Sequence, residues 1–356
     1  MNRKNRIVLV LMLLIGVGIF AFSMRNVNLE DMLHDIVTIK LGWLLLALLC
    51  IVLYLLIEAI IVKVFVGNRV EGFTFRNAVR IPLVEQLGNG ITPFASGGQP
   101  FQLVAMMQAG VEPGYASAVL LMKFIVYQFV IVLNFFMALI YGSHFMADKV
   151  HIMKYLMVFG FAIHFAVIIG LILVMYWYGL TKRLVALALN FVKWFGFGGK
   201  EKRLERHARL TEWADERLLS FHEESLRMSR DWPLMLKGLG LTFVQLMFYY
   251  SIPFFILLAL GYDHINYFLI TALHVLIVMV ISLFPIPGGS GGAEVSFSAL
   301  FSSFIASSSD LVLAMLLWRF LTYYFGMFAG MIAFNTKADK VKTKHNWSLR
   351  RKKDLE

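Results

Sequence analysis

The chain has 356 residues, of which 59% are hydrophobic and only 15% charged, and its mean hydropathy is +0.73. A soluble domain is nearer half apolar and a quarter charged, so these values exclude an ordinary soluble enzyme or binding module. The net charge of +11 does not require nucleic acid, because excess Lys and Arg in a membrane protein sets orientation and then contacts anionic lipid heads.

Several separate apolar runs of 16–26 residues predict an all-α polytopic membrane protein with about eight transmembrane helices. Barrel strands would be shorter and alternating. Cys50 is the one cysteine and lies in an apolar run, which leaves no intramolecular disulfide and no thiol metal cluster. Arg3, Lys4 and Arg6 precede an apolar run at 7–22. It resembles a signal peptide, with a small-x-small site at Ala21-Phe22-Ser23, but further spans follow, so an uncleaved first helix is expected. The balanced loop at 23–42 suits the outside. The second span is expected at 41–66, with Glu58 and Lys63 reaching its inner interface. Arg69, Arg76 and Arg80 place residues 67–80 in the cytoplasm.

Residues 81–110 are too broken for one straight span and too apolar for a loop. Pro82, Glu85, Gly88-Asn89-Gly90, Thr92-Pro93 and Ser96-Gly97-Gly98-Gln99-Pro100 predict two short helices meeting at a Gly/Pro turn, re-entrant from the inner face. Spans follow at 115–141 and 153–178, the second ending in an interfacial belt of Tyr176, Trp177 and Tyr178. Residues 179–236 form the long polar insertion. Its first part reads as a helix on the membrane surface. Residues 200–231 mix eight basic with eight acidic side chains and read as a solvated helix or hairpin, with Glu205–Arg209 and Glu223–Arg227 pairs; a docking surface is the alternative.

Apolar runs return at 238–260 and 265–284. The stretch Phe284-Pro285-Ile286-Pro287-Gly288-Gly289-Ser290-Gly291-Gly292-Ala293-Glu294 then breaks the chain between apolar segments. Lipid cannot satisfy backbone freed at membrane depth, so such a break marks a site or else a loop outside the membrane. A Ser/Phe-rich helix at 292–308 and a last span at 311–334 precede a basic tail, 336–356. The domains are thus a membrane unit, 1–335, and that tail. Both ends inside require an even number of crossings. Eight works if 292–308 crosses and 81–110 does not; six works if both broken stretches are re-entrant and one of the shorter apolar runs does not cross. The two stretches share Pro, a Gly-Gly pair and a polar residue opening a helix, a weak internal repeat of the kind transporters show.

Arg319 lies roughly 12 Å into the last span. Its guanidinium suits a phosphate, or else an ion pair with Glu294, Glu85 or Asp310. Glu294 and Glu85 read either as helix caps or as groups for an ammonium or proton. Gln86 shares these two readings. Lys123 is expected to snorkel to the inner interface. His164 and His274 read as hydrogen-bonded bundle residues. No metal spacing, nucleophile elbow, P-loop or dinucleotide fingerprint is present, so no metal, cofactor or catalytic residue is expected.

The segments Thr92-Pro93-Phe94-Ala95-Ser96-Gly97-Gly98-Gln99-Pro100-Phe101-Gln102 and Pro285-Ile286-Pro287-Gly288-Gly289-Ser290-Gly291-Gly292-Ala293-Glu294 resemble the transmembrane region of the lysylphosphatidylglycerol synthase, or multiple peptide resistance factor, family. The resemblance covers about 5–335. It implies a flippase for aminoacylated phosphatidylglycerol in the bacterial cell membrane and resistance to cationic antimicrobial peptides, with the broken stretches, Gln99 and Gln102 along the lipid path. The family's aminoacyltransferase domain has no counterpart here, since only about 20 residues follow the last span. The alternatives are a phosphatidylglycerol lysyltransferase acting with a separate catalytic chain, and a membrane scaffold. The expected partners are a phospholipid, the membrane, and a second copy or a lipid-modifying enzyme, with no nucleic acid.

Overall fold

A computed structural model of the chain describes residues 38–146, 151–195, 200–305 and 307–343. The run at 7–22 and most of the basic tail lie outside these residues. Among the described residues five segments are long and apolar enough to cross a membrane. They are α1 (Leu41–Val66), α4 (Pro113–Met146), α5 (His151–Tyr176), α8 (Trp232–Ala259), and the pair α11 (Ser308–Arg319) and α12 (Phe325–Asn335), which a π turn at Phe320–Tyr324 joins. These match the spans expected at 41–66, 115–141, 153–178, 238–260 and 311–334.

The remaining apolar elements are shorter. Helices α2 (Phe75–Ile91) and α3 (Gly98–Ala109) form one hairpin around a 3-10 turn at Pro93–Ala95. Helices α9 (Tyr267–Ile281) and α10 (Gly292–Phe301) form a second around Pro287–Gly289. The ten residues of α10 rise about 15 Å, half of a roughly 30 Å hydrocarbon core, so this helix cannot cross alone. The crossing expected at 292–308 is therefore replaced by a hairpin arm, and the run at 265–284 is the other arm. Among the described residues five helices are thus long and apolar enough to cross, and the run at 7–22 lies outside them.

The hairpins open at opposite ends of the bundle. Helices α1 and α8 lie antiparallel and pack extensively, with Lys40 N–H bonded to Ala259 O at 2.8 Å at one end and Phe65 against Gly238 at the other. The base of the α9/α10 hairpin is at the Lys40 end, where Lys40 pairs with Asp263 and Tyr262 donates to Asp310 at 2.7 Å. The base of the α2/α3 hairpin is at the other end. There Arg80 donates to the carbonyls of Ala333 and Thr336, both at 3.1 Å, and Arg76 pairs with Asp339. A two-residue antiparallel pairing of Val70–Glu71 with Lys342–Thr343 closes the same end.

Local sequence explains these boundaries. Thr74 caps α2 by accepting from Asn77 N–H, Asp231 caps α8 through Leu234 N–H, and Asn266 caps α9 through Leu269 N–H. Gly110 ends α3 with φ 97°. The polar insertion forms α6 (Tyr178–Phe195) and one continuous helix, α7 (Lys200–Ser229), rather than a hairpin. Helix α7 packs on α4, where Gly114 lies against Arg217 O and Ser220, and it buries Leu218, Ser225 and Met228, so part of its surface is buried rather than solvated. Arg227 bonds Glu224 at 2.7 Å instead of the expected Glu223, and Arg69 also reaches Glu224 at 3.1 Å. The side chain of Glu205 lies outside those described.

Candidate functional site

The tips of the two hairpins meet inside the bundle, and their turns have one construction. Pro93-Phe94-Ala95-Ser96-Gly97-Gly98 corresponds to Pro287-Gly288-Gly289-Ser290-Gly291-Gly292. Each proline opens a 3-10 turn whose next two residues have positive φ: 54° and 52° at Phe94 and Ala95, 65° and 63° at Gly288 and Gly289. Each serine hydroxyl bonds back to the proline carbonyl, at 2.9 Å from Ser96 and 3.1 Å from Ser290. Each second glycine begins the next helix. Phe94 and Ala95 hold a backbone that side chains disfavour, which costs of order 1–3 kcal/mol each and is the kind of strain found at functional sites.

Side chains lock both tips. Thr92 donates to Gly88 O at 2.8 Å and accepts from Gly97 N–H at 2.7 Å. A Cβ on Gly88 would lie 2.7 Å from Gly97 O, so the arms approach as only glycine allows. In the second hairpin Glu294 accepts from Gly291 N–H at 2.6 Å, the capping role expected of it. Arg319 joins this turn from α11. It donates to Gly288 O at 2.9 Å and to Ser290 Oγ at 3.1 Å, and its Nε sits 3.0 Å from Glu294 Oε1 without aiming its N–H at that oxygen. Its guanidinium also lies over the Tyr323 ring at 4.6 Å. Arg319 is thus paired with Glu294, one of its expected acidic partners, and it also braces the break. Two of its five N–H groups donate to these partners, which leaves the Nε–H and one N–H on each terminal nitrogen.

A cavity of about 190 Å³ sits between the tips. Gln86, Asn89, Phe94, Tyr249, Ser282, Arg319 and Tyr323 line it. Tyr323, in the π turn directly after Arg319, donates to Gly90 O at 2.8 Å and so ties the second half to the first hairpin. A π turn beside the cavity fits the tendency of such turns to occur at functional sites. A wider open cleft of about 1030 Å³ lies at the base of α1, lined by Lys63, Asn68, Asp231 and Lys237, but neither buried ionic cluster lines it.

The second ionic cluster is a triad. Lys123 of α4 donates to Glu58 of α1 at 2.5 Å and to Glu85 of α2 at 3.0 Å. The three side chains are 6%, 7% and 13% exposed. The snorkelling expected of Lys123 and Glu58 does not occur, because each finds an opposite charge inside the bundle. Lys63 does stay exposed. Lys123 and Arg319 occupy comparable places, ten or eleven residues into the long helix after each hairpin.

Gln99 is half-buried, and Gln102 is fully buried with its amide unpartnered; neither lines the tip cavity. The two histidines are bundle residues, as expected. His164 contacts Gln128 at 2.8 Å and Ser282 at 3.2 Å. His274 accepts from Trp318 Nε1 at 3.0 Å and faces Tyr250 O at 3.2 Å, which makes it a neutral ring that donates from Nδ1. Among the described residues no group of His, Cys, Asp and Glu could hold a metal. Sequence reasoning missed Asn89, Tyr249, Ser290 and Tyr323. Ser290 was open to discovery through its match with Ser96.

Fold and site together define a polytopic α-helical membrane protein with two broken hairpins of opposite orientation meeting in its interior. The chain belongs to the family described as the lysylphosphatidylglycerol synthase TM region, which matches residues 9–330. It is also similar to a "UPF0104 membrane protein" of Archaeoglobus fulgidus, 29% identical over 321 residues that cover 85% of this chain and 89% of the relative.

Proposed function

We propose that the chain is a lipid translocase that moves an anionic phospholipid, such as an aminoacylated phosphatidylglycerol, between the leaflets of a cell membrane. The observation that carries this reading is the meeting of two hairpins, open to opposite ends, at a cavity within the bundle whose mostly apolar wall carries Arg319, Gln86 and Asn89. Broken backbone at membrane depth persists only against protein or a wet cavity, and paired broken helices in inverted halves are how many transporters build a midplane site. In this reading the remaining N–H on each terminal nitrogen of Arg319 meets the lipid phosphate. Glu294 and Glu85 balance the charge or meet an aminoacyl ammonium. Lys123 holds Glu85 in place, and Gln99 and Gln102 flank the path. Delivery of aminoacylated lipid to the outer surface would lower its negative charge and with it the attraction of cationic peptides. Residues 1–335 act as one membrane unit, with 336–356 as its tail.

Arg69, Arg76, Arg80 and the insertion gather at one end, which this reading makes cytoplasmic together with both termini. In a Cys50→Ala background, His264→Cys should label from outside intact cells and Glu212→Cys should not; the reverse pattern inverts the topology. The glycines of the second tip give a further expectation. A Cβ on Gly292 would meet the Phe284 ring, and one on Gly289 would meet Ile281 at a φ of 63°. Gly289→Val and Gly292→Val should therefore insert but lose translocation, at a stability cost of about 1–3 kcal/mol.

The function itself is tested with purified protein in vesicles carrying a fluorescent lipid in one leaflet. Phosphatidylglycerol, its lysyl ester and phosphatidylcholine are compared. Faster exchange of the first two is expected. Equal rates for all three, or none above protein-free vesicles, would remove the proposal.

A further inference from the structure

None of Glu58, Lys123 and Glu85 lines the tip cavity, and the translocation reading uses Glu85 for charge balance or an ammonium without accounting for the triad as a unit. Its composition is unbalanced. Two carboxylates and one ammonium sum to −1 in a site where all three side chains are buried or nearly so. Low-dielectric surroundings do not keep such a charge uncompensated; they draw in a proton or a cation.

Geometry says which. Glu58 Oε2 is buried and receives no N–H or O–H, and the Glu58 and Glu85 carboxylates are both held against the single Lys123 ammonium. Two carboxylates so placed repel, whereas a carboxylic acid and a carboxylate attract through a shared proton. Lys123 is nearer to Glu58, at 2.5 Å, than to Glu85, at 3.0 Å, which marks Glu58 as the more firmly ionised partner and Glu85 as the proton carrier. The other titratable groups facing the triad are phenols: Tyr54 from α1, Tyr127 from α4 and, beyond Tyr54, Tyr249 from α8. None supplies a second positive charge. A metal ion would need several oxygen ligands, and Lys123 already fills the space between the carboxylates.

We propose that this triad is a proton-binding site, with one exchangeable proton held between Glu85 and Glu58, and that the proton is the coupling ion of the chain's transport cycle. The three members come from three helices, and one of these, α2, is the first arm of the hairpin that leads to the tip cavity. Loss of the proton restores the net charge of −1 and sets the two carboxylates against each other. That repulsion bears on the position of α2 against α1 and α4. Protonation state and hairpin position are thereby linked. The coupling rests on the translocase reading; the proton site does not.

Infrared difference spectra of the full chain in lipid, recorded across pH steps, test the site directly. A protonated carboxyl stretch is expected at neutral pH, shifted down in heavy water and absent from both Glu85→Gln and Glu58→Gln, since either change leaves one carboxylate paired with Lys123. Wild type without that signal at neutral pH, or a signal that survives both substitutions, would overturn the site. Should the variants fail to fold, the wild-type spectrum alone still decides. Coupling is then tested in vesicles with an imposed pH gradient. Lipid exchange should accelerate in wild type and not in Glu85→Gln. Exchange that proceeds at one rate with or without a gradient removes the coupling and leaves the translocase standing. Absence of any exchange removes the translocase, while the infrared result still stands for the proton site.

Discussion

Lys123→Met should destabilise the chain by about 3–5 kcal/mol, the usual cost of leaving buried charge without its partner. Lys123 is the only cation within salt-bridge distance of Glu58 and Glu85 among the described residues. Its loss leaves the Glu58–Glu85 pair, which carries a net negative charge even when it holds a proton, without a cation in a buried site. The comparison that isolates charge from packing is the triple change Lys123→Met, Glu58→Gln, Glu85→Gln. A neutral triad of similar volume should recover most of the lost melting temperature, because a buried ion pair rarely exceeds its neutral replacement in net stability. If the triple variant melts as low as Lys123→Met, packing rather than charge explains the loss.

Arg319→Ala is expected to have the second large effect, also about 3–5 kcal/mol. It removes the donors to Gly288 O and Ser290 Oγ and leaves Glu294 with only Gly291 N–H. Adding Glu294→Gln should restore part of the stability but not the geometry of the turn. Arg319→Lys separates the two roles of this side chain. Lysine keeps a charge beside Glu294, yet it cannot present a planar fork to a carbonyl, a hydroxyl and a phosphate at once. Lipid movement should therefore fall much further than melting temperature. Equal, small losses in both would leave Arg319 as a brace alone.

These effects trace a division between what the chain announces locally and what it assembles at distance. The spans at 41–66 and 238–260 are legible because long apolar runs have few other uses. The breaks at 92–100 and 285–292 are legible because Pro and paired Gly cannot continue a helix. The runs at 265–284 and 292–308 misled for a physical reason: hairpin arms buried in a bundle need the same apolar surface as spans. Only in the structure do they shorten to 15 and 10 helical residues. Pairing of Arg319 with Glu294 was one of the alternatives the sequence offered. The bond to Gly288 O was hidden, since no side chain signals it. The triad was hidden altogether, because Glu58, Glu85 and Lys123 lie on three helices and each alone looks like an interfacial or capping residue.

The account turns on one spatial claim, that lipid passes where the two tips meet. The Cα atoms of the turns Pro93–Ala95 and Pro287–Gly289 lie within 8 Å of each other, a gap that a short reducible bis-thiol reagent can span even where a direct disulfide, which needs Cα atoms within about 7 Å, cannot. Phe94→Cys and Pro287→Cys in a Cys50→Ala background place one thiol on each tip. Translocation of a fluorescent anionic lipid should stop when this pair is bridged by the reagent and return on reduction, while each single variant keeps its own rate in both conditions. Full-rate movement through the cross-linked protein would contradict the claim and place the lipid path elsewhere.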